Sequence, residues 1–359
     1  MRKPKIKVAV VYNEPEPEMY IKTGAEEDKE PEFKTYFEVD KTTPMEEFDY
    51  IVKKLENVGF IAYTLNIQDN LELMLSNLMK EKPDVIFNFI EIYKENSRLE
   101  MNIVGLYELL GIPYTGAPAL ALANCQNKIL AKRLLSSGGI RIPRFYIVST
   151  NSARYVHNLN YPLLVKPAFE DASVGIENES IVYNGKKLRT RIEYVLKHFQ
   201  QPALVEEFIE GRELNVAVMG DKRLRVLPIS EIDFTAMPDH LHNIVSYQAK
   251  WDPHHESYHK TIPICPAPLP KNIEKKAKEV AFKAFKVMGC RDYARVDIRL
   301  AKNNKLYVLE VNPNPDITEG AGFMRSAEYS GMTYAQALKR IVKYALNRHN
   351  NLKSATVPS

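Results

Sequence analysis

Cysteine is scarce in this 359-residue chain: Cys125, Cys265 and Cys290 are far apart and odd in number. That argues against a disulfide framework and against the paired spacing of a zinc cluster, and leaves buried free thiols in a reducing cytoplasm as the expectation. An excess of one charge is lacking too. The 49 Lys and Arg stand against 45 Asp and Glu, a net +4. So small a bias gives nucleic acid no support and suits anionic small substrates equally well. No stretch approaches the roughly 20 apolar residues of a membrane span. The run Val8–Tyr12 after a basic start is too short for a signal peptide and reads as a first strand. A cytoplasmic location without membrane partners is expected. There is no internal repeat, and no G-x-G-x-x-G turn follows the first strand, so dinucleotide binding is unsupported.

What is present is an ordinary globular composition, 45% hydrophobic and 26% charged, long enough for two or three domains. Strands are expected at 6–12, 60–65 and 84–89. Helices are expected between them, one opened by Thr43-Pro44 and one at 71–80. This βαβαβ order predicts a parallel sheet with helices on its faces. The segment from Glu14 to Glu32, rich in Glu, Pro and Lys, reads as a loop. A helix over 99–110 stops at Gly111, and another covers 127–136. From Ile140 the pattern changes to short strands and Gly/Pro turns, an α+β character, so a domain boundary is placed near residue 125. A long amphipathic helix is expected over 270–288, with Val280, Phe282, Phe285 and Met288 among its apolar positions. A last helix spans 333–346, and the polar tail after Arg348 is expected to be disordered.

The most informative stretch is A-R-V-D-I-R-L followed by L-Y-V-L-E-V-N-P-N-P. Tyr293–Leu300 alternates apolar and polar residues, Leu306–Val311 is apolar, and Asn-Asn-Lys at 303–305 turns between them, so a hairpin is predicted. Strand alternation gives Arg295 and Asp297 one face, and gives Glu310 and Asn312 a common face of their own. If register merges the faces, three oxygen ligands and a guanidinium converge. Such hard ligands suit Mg²⁺ shared with substrate phosphates. Pro313 and Pro315 end the strand there. An acidic hairpin facing water is the plain alternative.

Further segments bear on that choice. In Y-P-L-L-V-K-P-A-F-E-D-A-S-V-G-I a strand delivers Lys166 beside a small-residue loop, which suits phosphate, or is simply a strand end at a surface turn. In L-V-E-E-F-I-E-G-R-E an apolar strand is followed by carboxylates able to meet adenine and ribose, or by a solvated acidic turn. Lys128, in C-Q-N-K-I-L-A-K-R-L-L, is by itself an unremarkable helix lysine.

Taken in this order, and with E-L-L-G-I-P-Y-T-G at 108–116, these motifs resemble the ATP-grasp superfamily in its D-alanine–D-alanine ligase-like branch, from about Pro83 to Ala345. The resemblance implies an ATP-grasp fold, α/β and α+β, with an N-terminal parallel α/β domain at 1–124. A central domain at 125–204, a metal-bearing C-terminal domain at 205–348 and a tail at 349–359 would follow. It implies nucleotide-phosphate lysines at Lys128 and Lys166. Glu206, Glu207 and the backbone near Phe208 and Ile209 look like the adenine clamp, and Glu213 like the ribose carboxylate. Asp297, Glu310 and Asn312 look like the ligands of two Mg²⁺ ions, for which Mn²⁺ is a possible substitute. Arg295 looks like the group that steadies the transferring phosphoryl group and the tetrahedral intermediate. The loop around Ser173–Gly175 resembles a lid, and Asp233–Lys260 reads as a second cover, short of regular structure, with Lys250 aimed inward. The histidines there (His240, His242, His254, His255, His259) match no zinc-finger spacing, so a solvated or substrate-facing loop is expected rather than a metal site.

Enzymes of this kind join a carboxylate to an amine through an acyl phosphate, with small-molecule amino acid or peptide substrates and often as homodimers. Departures from D-alanine ligases cluster at the amino-acid sites. Y-N-E-P-E-P-E stands for a Gly-rich turn, leaving Glu14, Glu16 or Glu18 to hold an amino group. N-F-I-E-I-Y-K-E-N-S-R replaces H-G-x-x-G-E-D-G, bringing Asn88, Glu91 and Arg98 to the donor side. Ala172 stands for a serine, Trp251 for a tyrosine and Asp316 for a glycine, and the serine that would grip the acceptor carboxylate is gone. The expectation is therefore ligation of another amino acid or peptide first and D-alanine–D-alanine ligation second. A non-catalytic nucleotide-binding regulator is third, disfavoured by the intact Lys166, Arg295, Asp297, Glu310 and Asn312.

Overall fold

The computed structural model describes residues 4–16, 43–152 and 155–355, so the expected loop lies outside it beyond Glu16, and with it Glu18. Strand β1 (Lys7–Tyr12) sends Val8 and Val10 to one face of a sheet and Ala9 and Val11 to the other, all fully buried. Helix α1 (Pro44–Asn57) begins on a capping box between Thr43 and Glu46, with Pro44 in its first turn. After it come β2 (Ile61–Asn66), α2 (Leu71–Glu81) and β3 (Val85–Asn88). The three strands are parallel in the order β2-β1-β3, as a βαβαβ chain requires. Next are α3 (Glu100–Leu110) and α4 (Ala119–Gln126).

A four-stranded antiparallel sheet follows. The chain runs through α5 (Lys128–Ser137), β4 (Phe145–Val148), β5 (Leu163–Pro167), β6 (Ile181–Val182), α6 (Gly185–His198) and β7 (Ala203–Glu207). The strand order is β4-β7-β5-β6, and α6 buries Leu188, Ile192 and Val195 against it. Because β7 pairs with both β4 and β5 along this sheet, the boundary expected at 204/205 is corrected to the far end of β7.

The third sheet is built from β8 (Gly211–Gly220), β9 (Leu224–Val226), β10 (Ser230–Asp233), β11 (Ile262–Ile264), β12 (Asp292–Ala301) and β13 (Leu306–Asn312). Its order is β11-β10-β8-β12-β13, with β9 beside β8. Between β10 and β11 the cover expected to lack regular structure holds two short helices, α7 (Tyr247–Trp251) and α8 (Glu256–Lys260), capped by Ser246 and His255. Helix α9 (Lys271–Val287) lies on this sheet through Ile273, Ala277, Ala281, Ala284 and Phe285. Of the positions expected to be apolar, Val280 and Phe282 are only partly buried. Helix α5 joins this core through Ala131 and Leu135, rather than that of the central sheet.

Helices α10 (Gly322–Tyr329) and α11 (Tyr334–Ala355) end the described chain. Here the expectation of a disordered tail from residue 349 is corrected, since α11 continues to Ala355. Its residues Leu338, Ile341, Val342 and Ala345 pack with Val8, Val10 and Phe87, so the last helix closes one face of the first sheet.

The I-P-Y-T-G-A-P turn is the seam between the first domain and the last. Gly116 N donates to Asp292 Oδ2 (3.0 Å) and Ala117 N to Asn314 Oδ1 (2.9 Å). Arg291 Nε donates to the Gly116 carbonyl, and Arg348 pairs with Asp292 and the Tyr114 carbonyl. Gly116 has φ +89°, and a Cβ there would collide with Asn314 Oδ1, so only glycine fits. Glu100 belongs to the same seam, accepting from Asn314 Nδ2 (2.9 Å) and Gln126 Nε2 (2.8 Å). Burial, aided by Glu91 and Asp171 and opposed by Asn314, pushes its carboxyl up from 4.5 to about 8. Between those values the folded chain holds a proton that the unfolded chain has released, so this contribution to stability falls as pH rises through that window. Melting temperature should therefore decline from pH 6 to 8.5, by about 1–2 °C for each kcal/mol lost in a chain of this length. Glu100→Gln should flatten that slope. An unchanged slope would show that Glu100 does not carry it.

Candidate active site

Where the second and third sheets approach each other, charged side chains cluster. Lys166 comes at the end of β5, where Pro167 terminates the strand, and Glu206 from neighbouring β7. Lys166 Nζ lies 2.8 Å from Glu206 Oε1, and a second ammonium, Lys132 of α5, lies 2.5 Å from Oε2. Burial alone would raise the Glu206 carboxyl; Lys132 and then Lys166 outweigh it and hold it at about 2. Lys128, one turn before Lys132, donates to the Glu170 carbonyl at the root of the lid.

The hairpin forms as expected, and its register merges the two faces. Arg295 stands opposite Asn312 and Asp297 opposite Glu310, with a bulge just after that pair. Arg295 grips Asp297 bidentately (Nε–Oδ1 2.8 Å, Nη2–Oδ2 2.9 Å). Asn312 Nδ2 donates to Asp297 Oδ2 (2.9 Å) and Glu310 Oε1 (3.4 Å), and Asn215 of β8 donates to Asp297 Oδ1 (2.8 Å). Burial raises Asp297, as does Glu310, against the pull of Arg295. Glu310 is held at about 2, because Lys128, Lys166 and Arg295 together overcome its burial. Two carboxylates and an amide fit a divalent metal completed by substrate phosphates. The amide nitrogen now bridges the carboxylates, and a half-turn of Asn312 presents its oxygen instead. Among the described residues no three His, Cys, Asp or Glu side chains form a metal cage of their own.

Other expected residues divide. Glu213 is buried and paired with Arg299 Nη2 (2.9 Å), which also donates to the Asn243 carbonyl of the second cover. Phe208 places its ring beside the Arg299 guanidinium, 5.6 Å away, and its N–H is taken by the Pro162 carbonyl; Ile209 follows, half-buried. Glu207 is a correction: strand alternation turns it to the opposite face from Glu206, where it pairs with Arg144 and accepts from Asn160. Ser173 donates its hydroxyl to the Val245 carbonyl (2.9 Å). With Tyr247 N to Ile176 O and Trp251 Nε1 to Ala172 O (2.9 Å), it ties the two covers together. Lys250 is exposed, its ammonium 5.1 Å from the Trp251 ring, and its charge reaches Glu91. Glu91 is exposed at the surface, yet the protein packed around its carboxyl, then Asp316 and Asp171, raise it to about 7, with Lys250 opposing. Arg98 lies over the Phe169 ring, and Asn88 is buried against Thr115 and Tyr107. His240, His242 and His255 line a separate cavity of about 300 Å³ with Asn178, Glu179 and Ser257.

Lys132, Asn215 and Arg299 are site residues that reading along the chain missed. Lys132 had one signal, its i+4 spacing from Lys128, which puts both on one helix face. Asn215 had another, a lone amide within the apolar run of β8.

Two antiparallel sheets, four- and six-stranded, closing over two lysines, a buried carboxylate and a metal-type hairpin define an ATP-grasp enzyme, an ATP-dependent ligase that forms C–N bonds. Residues 136–343 match the family model described as D-ala D-ala ligase C-terminus. The D-alanine–D-alanine ligase of Desulforamulus reducens is 32% identical over 256 residues, 68% of this chain and 77% of its own length. That of Carboxydothermus hydrogenoformans is 31% identical over 308 residues, 83% and 91% of the two chains. The crystal structure of the Bacillus anthracis D-alanine–D-alanine ligase complexed with ATP superposes with a TM-score of 0.67 at 20% identity, covering 97% of this chain and 99% of that one. The chain belongs to the D-alanine–D-alanine ligase family, whose members use ATP and a divalent metal. Among the described residues no helix is long and apolar enough to cross a membrane.

Proposed function

We propose that this chain joins two D-alanines, converting one ATP to ADP and phosphate for each peptide bond. The observation that carries this reading is the likeness over most of the chain to relatives named D-alanine–D-alanine ligase. It favours that product over ligation of an unspecified amino acid. A carboxylate is a poor electrophile, so the γ-phosphoryl group is transferred to it first. The second amine then attacks the acyl phosphate, and phosphate leaves from a tetrahedral intermediate. Lys128 and Lys166 meet the nucleotide phosphates, Glu206 and the backbone at Phe208 and Ile209 meet adenine, and Glu213 meets ribose. Asp297, Glu310 and Asn312 would hold the metal, taken as two Mg²⁺ ions, which supplies charge neutralisation at the phosphates. Arg295 meets the charge that develops on the phosphoryl group and the oxyanion. The joined covers, with Ser173 and Lys250, keep water from the acyl phosphate.

One observation favours a second reading, ligation of a different amino acid or peptide. Ala172, Trp251 and Asp316 stand where D-alanine ligases have serine, tyrosine and glycine, and the Trp251 indole N–H is given to the Ala172 carbonyl. Phosphate release from Mg-ATP against single amino acids of both chiralities, then pairs, with product masses, separates the two. D-alanine alone should give its dipeptide, two alanines minus water. Product from another pair, with D-alanine inert, would replace the first reading by the second. No release with any amino acid or pair would overturn the first reading and leave the second only its peptide form.

A further inference from the structure

The buried Glu206 carboxylate has two ammonium partners where one would neutralise it. Lys166 Nζ lies 2.8 Å from one oxygen and Lys132 Nζ 2.5 Å from the other, and all three side chains are almost fully buried. A second buried ammonium is unfavourable unless a charge always awaits it. Lys132 rises from α5 between Ala131 and Leu135, its ammonium 5.7 Å from the Phe145 ring, so its helix fixes it in place. Lys166 differs: it ends a strand beside the lid, within the field of Glu310 and Glu213 as well as Glu206.

Lys166 is the proposed phosphate ligand, so a bound nucleotide would compete with Glu206 for its ammonium. A buried carboxylate stripped of its only cation takes up a proton and becomes a donor. The 6-amino group of adenine needs an acceptor, whereas the 6-oxo group of hypoxanthine or guanine needs a donor. We propose that Lys132 is a positioning residue that keeps Glu206 a fixed acceptor while Lys166 serves the phosphates, and so sets the preference for adenine over 6-oxopurine nucleotides. The inference rests on the reading that Glu206 meets the base.

The test is equilibrium binding of Mg-ATP and Mg-ITP, nucleotides that differ in the 6-substituent, to the full chain by calorimetry. It needs no knowledge of the amino-acid substrate. Lys132→Met should weaken ATP about tenfold, the scale of leaving a buried charge without its partner. ITP affinity should hold or improve, so the ATP-to-ITP preference falls at least as far. Lys132→Arg should restore most of it. Should the Met variant fail to fold, the same ratio is read from Lys132→Gln, which fills the space with a neutral donor. A preference that stays at the parent value in the Met or Gln variant, while Glu206→Gln shifts it, overturns the role of Lys132 and leaves the base contact standing. If Glu206→Gln itself leaves the preference unchanged, Glu206 does not face the base and the underlying reading fails with the proposal.

Discussion

Glu310→Ala is expected to remove metal-dependent ATP turnover, with a loss in kcat of about 10²–10³-fold or more, while the fold persists. Glu310 lies near the end of β13, only partly buried, opposite Asp297. Its charge balances Lys128, Lys166 and Arg295. Without it Asp297 is the one carboxylate left on the hairpin face beside these cations, and a divalent cation entering the site loses a ligand and meets more positive charge. The same surplus of positive charge favours nucleotide phosphates, so ATP affinity should be retained or improved. The expected signature is therefore a split: binding kept, turnover lost, and melting temperature within a few degrees of the parent. Calorimetric binding, phosphate release across a Mg²⁺ titration and circular dichroism read the three quantities. Full turnover in the variant would show that Asp297 and Asn312 do not hold metal together with Glu310.

The hairpin that carries this prediction was legible because strand alternation is a local rule. It assigned Arg295 with Asp297, and Glu310 with Asn312, before any register was known. The bulge after Asp297 and Glu310, which re-aims the strand beyond the site, left no mark in the pattern. Glu207 was misplaced for the opposite reason: the alternation that buries Glu206 already turned its neighbour away, and the motif was read as one acidic block. Lys132 escaped because its partner lies 74 positions later on another element, and a lone lysine on a helix reads as solvated. The last helix was legible over 333–346, but the same distance hid what it covers, a sheet face formed at the opposite end of the chain. The latch between Trp251 and the Ala172 carbonyl was illegible as well. It uses a backbone atom, and side-chain identity carries no record of that.

Arg295→Lys is expected to lower kcat about 10²–10³-fold, with ATP affinity close to that of the parent. Arginine presents five N–H donors in a planar fork. Two are spent on Asp297, at 2.8 and 2.9 Å, which fixes the plane of the guanidinium. The remaining donors are left to meet phosphoryl oxygens from a locked position. An ammonium keeps the charge but not the fork. It can satisfy Asp297 or the phosphoryl group, and Asp297, beside Glu310, is the nearer anion. The lysine variant therefore preserves the electrostatic balance of the buried carboxylates, which alanine would upset, and removes only the directed contact. Transition-state charge is more concentrated along the transferring group than ground-state charge, so the loss should fall on kcat and not on nucleotide binding. Single-turnover phosphate release beside calorimetric ATP binding separates the two. A variant with parental kcat and weakened ATP would mean that Arg295 holds the nucleotide uniformly, and that the charge developing in the transition state is met by the lysines instead.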